Sequence, residues 1–320
     1  MAPLSPPPTI GVFDSGFGGL TVLRALLPLK SHANYIYLGD TARLPYGSKS
    51  RETIARYAVS SAKFLHEQGA ELLVIACNTA TALAFEDIQQ ALPIPVIGVV
   101  EPGAHAASAA GKEIEPAQVR VGEAPQPSNQ AAENNAVIPS GQAGVLVLAT
   151  HATVQSHAYA RALNALNLKA FEKACPLLVP LVEEGWIDHP VTDEVLRIYL
   201  TEALDQAPDA TTLLLGCTHY PLLEPAIRRT LAALNHPLII IDSARATAEA
   251  VVNNLALNCS GHSLIAHGAH HSTVPRSENA MVDARNCTFY ATDSIAKFER
   301  LGSAFLGLPV TGVRHVDLGG

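Results

Sequence analysis

The sequence predicts an α/β protein of two lobes, each built round a mainly parallel sheet. Three observations predict it. Short apolar runs alternate with longer segments of helical periodicity. The runs are apolar on consecutive residues, as strands buried on both faces require. Charged residues make up 16% of the chain and mean hydropathy is +0.19, whereas an ordinary domain carries roughly 25% charged residues.

The runs follow in order. TIGVFDS from Thr9, NYIYLGD from Asn34, ELLVIAC from Glu71 and PVIGVV from Pro95 form a first series. GVLVLAT from Gly144, CPLLVP from Cys175 and TLLLGC from Thr212 form a second, and PLIIID from Pro237 opens a final section. Between the second and third runs, RETIARYAVSSAKFLHEQG sets Ile54, Tyr57, Ala58, Ser61, Phe64 and Leu65 on one face at i, i+3, i+4, i+7 spacing, the pattern of a crossover helix. Residues 109–142 are rich in Ala, Gly, Pro, Gln, Asn and Glu and read as a flexible surface insertion. Residues 261–286, polar and with several histidines, read as a second insertion before TFYAT resumes a strand pattern. The expected division is therefore 1–98 with 239–320 as the first lobe and 99–238 as the second, the left-over C-terminal strand returning to the first. Three independent domains would leave the C-terminal part with a thin core.

At 320 residues the chain is long enough for two such lobes. Its 21 Lys and Arg against 29 Asp and Glu leave a net charge of −8, which argues against nucleic acid as a partner. No apolar stretch reaches the roughly 18–20 residues that a membrane span needs, so no membrane association is expected. MAPLSPPPTI at the start has no basic segment followed by an apolar one, which predicts a cytoplasmic location. The five cysteines, at 77, 175, 217, 259 and 287, are odd in number and form no C-x-x-C pair. Reduced thiols fit this better than a disulfide framework or a zinc ribbon.

Two of the cysteines stand in echoing contexts. LLVIACNTATAL from Leu72 and TTLLLGCTHYPLL from Thr211 both read as apolar run, small residue, cysteine, then hydrogen-bonding residues: Asn78 and Thr79 in one, Thr218 and His219 in the other. Each cysteine falls where a buried strand ends and a helix begins. Ligands of parallel sheets bind beyond the carboxyl ends of the strands, so two facing lobes bring Cys77 and Cys217 to one cleft. Buried cysteines often do nothing but pack, and Cys175, Cys259 and Cys287, which lack this context, are read that way. Two opposed thiols suit proton removal on one face of a carbon and proton return on the other, which is racemisation or epimerisation. A free thiol has a pKa of about 8.5, near enough to neutrality for one thiolate and one thiol to coexist.

The first run ends in FDSGFGGL. This is not a dinucleotide loop, because Thr21 stands where the third glycine of G-x-G-x-x-G belongs, and no G-x-x-x-x-G-K-[ST] is present. Its glycines allow a tight turn while Asp14 and Ser15 face a small polar ligand, although Ser15 could equally be a helix cap.

With these residues in hand, the chain closely resembles the bacterial glutamate racemases. GVFDSGFGGLTVL, YLGDTARLPYGSKS, ACNTAT, PVIGVVEPG, VPLVEEG, LGCTHYPLL and FYATDS carry the resemblance, in family order and over nearly the whole length. It implies two facing Rossmann-like (flavodoxin-like) lobes with the active site between them, and cofactor-independent exchange of L- and D-glutamate for peptidoglycan. It implies Cys77 and Cys217 as the two acid/base residues, with Asp14 assisting the first and Glu183 and His219 the second. Substrate contacts implied at the matching positions are Asp14, Ser15, Tyr46, Gly47, Asn78, Thr79, Thr150, Thr153, Thr218 and His219. Short hydroxyl and amide side chains with exposed backbone N–H groups can hold two carboxylates without an arginine clamp. Family members are commonly homodimers, so a homodimer is expected too. Tyr46 beside Pro45 also fits a plain packing role, and Glu183 beside Glu184 a solvated pair. Ala149 stands where relatives often carry Gly.

Other readings remain open at this stage. A racemase of aspartate or another acidic amino acid would place two cysteines alike, though DSGFGG with LPYG favours glutamate. A cysteine hydrolase with Cys217 as nucleophile and His219 as base would leave Cys77 unexplained. A binding module without activity is the third. His267, His270 and His271 in HGAHH lack companion ligands and are read as solvated loop residues. No metal is expected, and no cofactor: none of Lys30, Lys49 and Lys63 has the glycine-rich phosphate context of a pyridoxal-phosphate lysine.

Overall fold

The computed structural model describes residues 6–112, 144–259 and 284–319. Among these residues ten strands form two sheets, and every strand pair is parallel. In the first sheet the strands are β1 (Thr9–Asp14), β2 (Asn34–Gly39), β3 (Leu72–Ile75), β4 (Val96–Gly98), β9 (Cys287–Ala291) and β10 (Arg314–His315), in the order β10-β9-β2-β1-β3-β4. The second holds β5 (Gly144–Ala149), β6 (Lys169–Ala174), β7 (Ala210–Gly216) and β8 (Ile239–Asp242), in the order β6-β5-β7-β8. This is the expected α/β class.

Consecutive apolar residues are explained by what covers the two faces. On the first sheet Ile10, Val12, Leu72 and Val74 point one way, into a core shared with α1 (Leu20–Leu29). Phe13, Leu73 and Ile75 point the other, toward α2 (Arg51–Glu67) and α3 (Asn78–Ala91). On the second sheet Leu146, Leu148, Leu213 and Leu215 join that same shared core, while Val145, Val147 and Leu214 pack beneath α4 (Val100–Lys112) and α6 (Ala158–Ala165). A period of two thus sorts one apolar run between two cores. The shared core passes from lobe to lobe without a break and takes in α8 (Pro190–Gln206), α9 (Glu224–Ala233) and α10 (Ser243–Cys259). The crossover helix is α2, begun by Ser50, whose side chain accepts from Thr53 N–H, and it buries Ile54, Ala58, Ser61 and Leu65 of the predicted face.

Three expectations are corrected. PLIIID does not return to the first lobe: β8 pairs with β7 in the second sheet, and the chain goes back only after α10, through β9 and β10. The boundary at 239 therefore falls ahead of a strand of the second sheet. CPLLVP is not a strand either; the strand is the preceding KAFEKA of β6, and Leu178–Glu183 forms a short helix, α7. An edge strand can carry charged Lys and Glu side chains, and a short apolar run does not distinguish strand from helix. Residues 109–112, taken as the start of the first insertion, end α4. The rest of that insertion lies outside the described residues, as do His267, His270, His271 and most of the second.

The carboxyl ends of β1 and β2 are pressed together. A Cβ on Gly39 would stand 2.4 Å from Gly16 O and 2.5 Å from the Phe298 ring. Tyr37 Oη donates to the same Gly16 carbonyl at 3.1 Å. Gly39→Ala is therefore expected to lower stability by about 1–3 kcal/mol, the usual range for overpacking, as a shifted urea midpoint with an unchanged slope.

Candidate active site

The site is made by turns that follow β1, β3, β5 and β7, because parallel strands deliver all their carboxyl ends to one side. After β3, Cys77 caps α3: its Sγ accepts from Ala80 N–H at 3.4 Å and donates to Ser15 Oγ at 3.4 Å. After β1, buried Asp14 turns one carboxylate oxygen to Gly16 N–H at 2.8 Å. Its other oxygen, Oδ1, is buried without a partner. Asn78 is arranged in a complementary way, with Oδ1 accepting from Tyr159 Oη at 2.5 Å and Nδ2 buried and unpaired. One orphan acceptor and one orphan donor are what an ammonium and a carboxylate would satisfy.

In the second lobe Cys217 follows β7 directly, but the helix does not. A 3₁₀ turn, Tyr220–Leu223, precedes α9. Cys217 Sγ lies 4.0 Å from His219 Nδ1, His219 Nε2 lies 3.3 Å from Glu183 Oε1, and Glu183 Oε2 lies 3.6 Å from Lys297 Nζ. Glu183 closes α7, so this short helix supplies the link that neither sheet does. After β5, Thr150 caps α5 (His151–Ser156), accepting from Thr153 N–H. The hydroxyls of Thr79, Thr150 and Thr153 lie within 2.9–3.2 Å of one another and join the lobes.

Tyr46 and Gly47 come from the loop after β2. Gly47 meets the second lobe, since a Cβ there would lie 3.0 Å from Thr150 Cβ. The Tyr46 side chain is fully buried and its hydroxyl is held by the Asp40 carboxylate. Asp40 also receives Arg43 Nε at 2.8 Å and Thr292 Oγ1 at 3.0 Å. Tyr46 thus braces its loop through Asp40. Opposite, Gly18 of the β1 turn has no room for a side chain: a Cβ would lie 2.1 Å from Thr218 Oγ1 and 2.7 Å from His219 Nδ1.

Burial dominates the electrostatics. It pushes the Cys77 thiol up to about 11, and the Asp14 charge adds to the rise against the hydrogen bonds from Ser15 and Ala80. Cys217 is pushed up further by burial, with the charges of Cys77 and Asp14 adding to it. Burial raises Asp14 as well, opposed chiefly by His219. At Glu183 burial works upward, but the hydrogen bond and charge of His219 and the charge of Lys297 outweigh it and hold the carboxyl below its usual range.

Among the described residues no group of three His, Cys, Asp or Glu side chains is placed to hold a metal ion, and no helix is long and apolar enough to cross a membrane. Lys297 and Tyr159 touch this site and were not singled out from sequence, and Gly18 was read there only as part of a tight turn. Lys297 sits three residues beyond the Ser294 that caps α11 (Ile295–Leu306), far along the chain from Glu183. No local pattern signals such a contact.

The model of the Asp/Glu/hydantoin racemases matches residues 21–115 and 125–251, spans that include both cleft cysteines. The chain belongs to that family. Within it, the glutamate racemase of Koribacter versatilis is 48% identical over 320 residues, 98% of each chain. The glutamate racemase of Francisella tularensis, solved with D-glutamate, is 30% identical with a TM-score of 0.74, covering 98% of this chain and 99% of that one. The Thermus thermophilus glutamate racemase, solved with β-chloro-D-alanine, is 37% identical with a TM-score of 0.71 and the same coverage. These relatives make the chain an amino-acid racemase and agree with its two parallel-sheet lobes.

The folded protein holds the Cys77 proton up to about pH 11, whereas an unfolded thiol loses it near about 8.5. The stability this confers is full below the lower value and lost as pH rises through that window. An ultraviolet thiolate titration of native protein is expected to show a step near 11 that is missing in Cys77→Ala. A Cys77 step at about 8.5 would contradict the burial argument.

Proposed function

We propose that this racemase exchanges L- and D-glutamate without a cofactor, with Cys77 and Cys217 as its two bases. The observation that carries the reading is a pair of buried thiols, one per lobe, with the unpaired Asp14 Oδ1 and Asn78 Nδ2 in the cleft beside them. Glutamate as the substrate is supported by the relatives' names and by the D-glutamate in the Francisella structure.

In the forward direction one thiolate takes the α-proton. The electron pair left on Cα spreads into the α-carboxylate, where Asn78 Nδ2 and the free N–H groups opening α3 stabilise it. The thiol of the other cysteine then gives its proton to the opposite face. The product leaves the two protonation states exchanged, ready for the reverse reaction. Burial and Asp14 favour the protonated thiols, so as substrate enters one thiol gives its proton to the water being displaced, which carries it to solvent, and is left as the thiolate. The substrate ammonium supplies the counter-charge, since a cation near either sulfur favours its ionised form. Asp14 Oδ1 is the acceptor for that ammonium and stands beside Cys77, while the His219–Glu183 pair orients the group beside Cys217.

The threonine hydroxyls of 79, 150 and 153, with Ser15 and Thr218, are the candidates for reading the two carboxylates. Gly47 and Tyr46 contribute backbone and wall. On this reading the product is D-glutamate for peptidoglycan, made in the cytoplasm by a homodimer.

Incubation with L-glutamate in deuterated water tests the chemistry. The expected early product is D-glutamate carrying solvent deuterium, while residual L-glutamate stays unlabelled. Equal early labelling of both enantiomers would favour a single base. Cys77→Ala and Cys217→Ala are each expected to lower racemisation by about 10²–10⁴-fold or more, with Cys175→Ala leaving turnover unchanged. A Cys77→Ala protein that racemises normally would sink the assignment, and turnover of aspartate in place of glutamate would move the substrate.

A further inference from the structure

One buried side chain touches both cysteine turns. Tyr159, in α6 of the second lobe, is fully buried, and its hydroxyl crosses to Asn78 Oδ1, on the residue that follows Cys77. The same ring lies against Gly216, the residue before Cys217: a Cβ there would stand 3.0 Å from Tyr159 Cε2. On its other edge a Cβ at Gly103 would stand 3.5 Å from Cε1. Two positions without side chains therefore form the slot that seats the ring and aims its hydroxyl.

What that hydroxyl does follows from the chemistry of an amide. The two ends of an asparagine side chain are nearly the same shape and opposite in hydrogen bonding, so an unanchored amide can present either. With Oδ1 taken by the phenol proton, Nδ2 is the end left over, buried and without a partner. Burial holds the Tyr159 phenol above its ordinary range, so it stays a neutral hydroxyl with a proton to give to Oδ1.

We propose that Tyr159 is a positioning residue for the racemase site: its hydroxyl locks the Asn78 amide with the N–H₂ group toward the substrate carboxylate and so sets the affinity for the amino acid. This rests on the function proposed above. It adds a residue from the second lobe to the control of a donor in the first. Binding of a carboxylate to Nδ2 is then coupled to the seating of the lobes, because the anchor of the amide belongs to the opposite lobe.

Tyr159→Phe keeps the ring in its slot and removes only the hydroxyl. The dissociation constant for D-glutamate, by calorimetry, is expected to rise about tenfold, or about 1.4 kcal/mol, with KM rising alike and kcat falling by less. In an Asn78→Ala background the same change is expected to add nothing, since residues acting through one contact are not additive. An unchanged dissociation constant in Tyr159→Phe would overturn the inference, and so would a full additional loss in the Asn78→Ala background, which would mean that the ring is only a prop. Racemisation of glutamate by the unaltered enzyme is measured alongside. Its absence would count against the proposed reaction, while the binding comparison still decides the role of Tyr159.

Discussion

The contact between the β1 turn and the β7 turn is the constraint on which the rest of the site depends. Gly18 stands so close to Thr218 and His219 that even a methyl group has no space, and Thr21 Oγ1 reaches the Thr218 carbonyl at 3.4 Å. Two lobes held this closely shield the side chains at their junction from solvent. Asp14, Cys77, Cys217 and His219 are consequently all buried although every one of them is polar or ionisable. The continuous apolar core beneath keeps the turns in register, since one set of side chains packs against both sheets.

Burial makes the thiols weak acids, and a weak acid has a strong conjugate base. On the proposed mechanism this helps to remove a reluctant α-proton only if the thiolate can be formed, which is why the charges arranged round it would matter as much as the depth. The two cysteines are not equivalent. Cys77 has a serine hydroxyl and the first turn of a helix, whereas Cys217 has an imidazole whose far nitrogen meets a carboxylate. Different neighbours can still bring two thiols to comparable reactivity, because a helix N-terminus and an oriented imidazole both stabilise negative charge on sulfur.

The C-terminal segment ties the halves together. After the second sheet is complete, the chain returns to add β9 and β10 to the first, and on the way it sends Thr292 to Asp40 and Lys297 to Glu183. Asp40 in turn holds Arg43 and Tyr46, so the loop that presses Gly47 against Thr150 is fastened by a residue from the far end of the sequence. A loop needs such a fastening to hold one conformation, because its own backbone makes few sheet hydrogen bonds.

Much of this architecture was legible from residue order. Among the described residues, apolar runs of consecutive residues identified eight of the ten strands, because burial on both faces leaves a local mark, and the cysteine echo pointed to two strand ends at which the structure buries Cys77 and Cys217. The exceptions have physical causes. KAFEKA is an edge strand whose side chains are only partly covered, so it reads as polar, and CPLLVP is apolar because it enters a short helix. The sheet that receives PLIIID depends on a partner strand, which no local pattern encodes. By itself the sequence determined the α/β class and the family, since strand burial, turn glycines and cysteine context are local properties. Only the tertiary structure decided that Tyr46 gives its hydroxyl to Asp40, that Lys297 completes the His219–Glu183 chain and that Tyr159 anchors Asn78. The last two join residues distant in sequence, so their meeting is set by how the two sheets pack, and the first, six residues apart, depends on how the loop after β2 folds over Asp40.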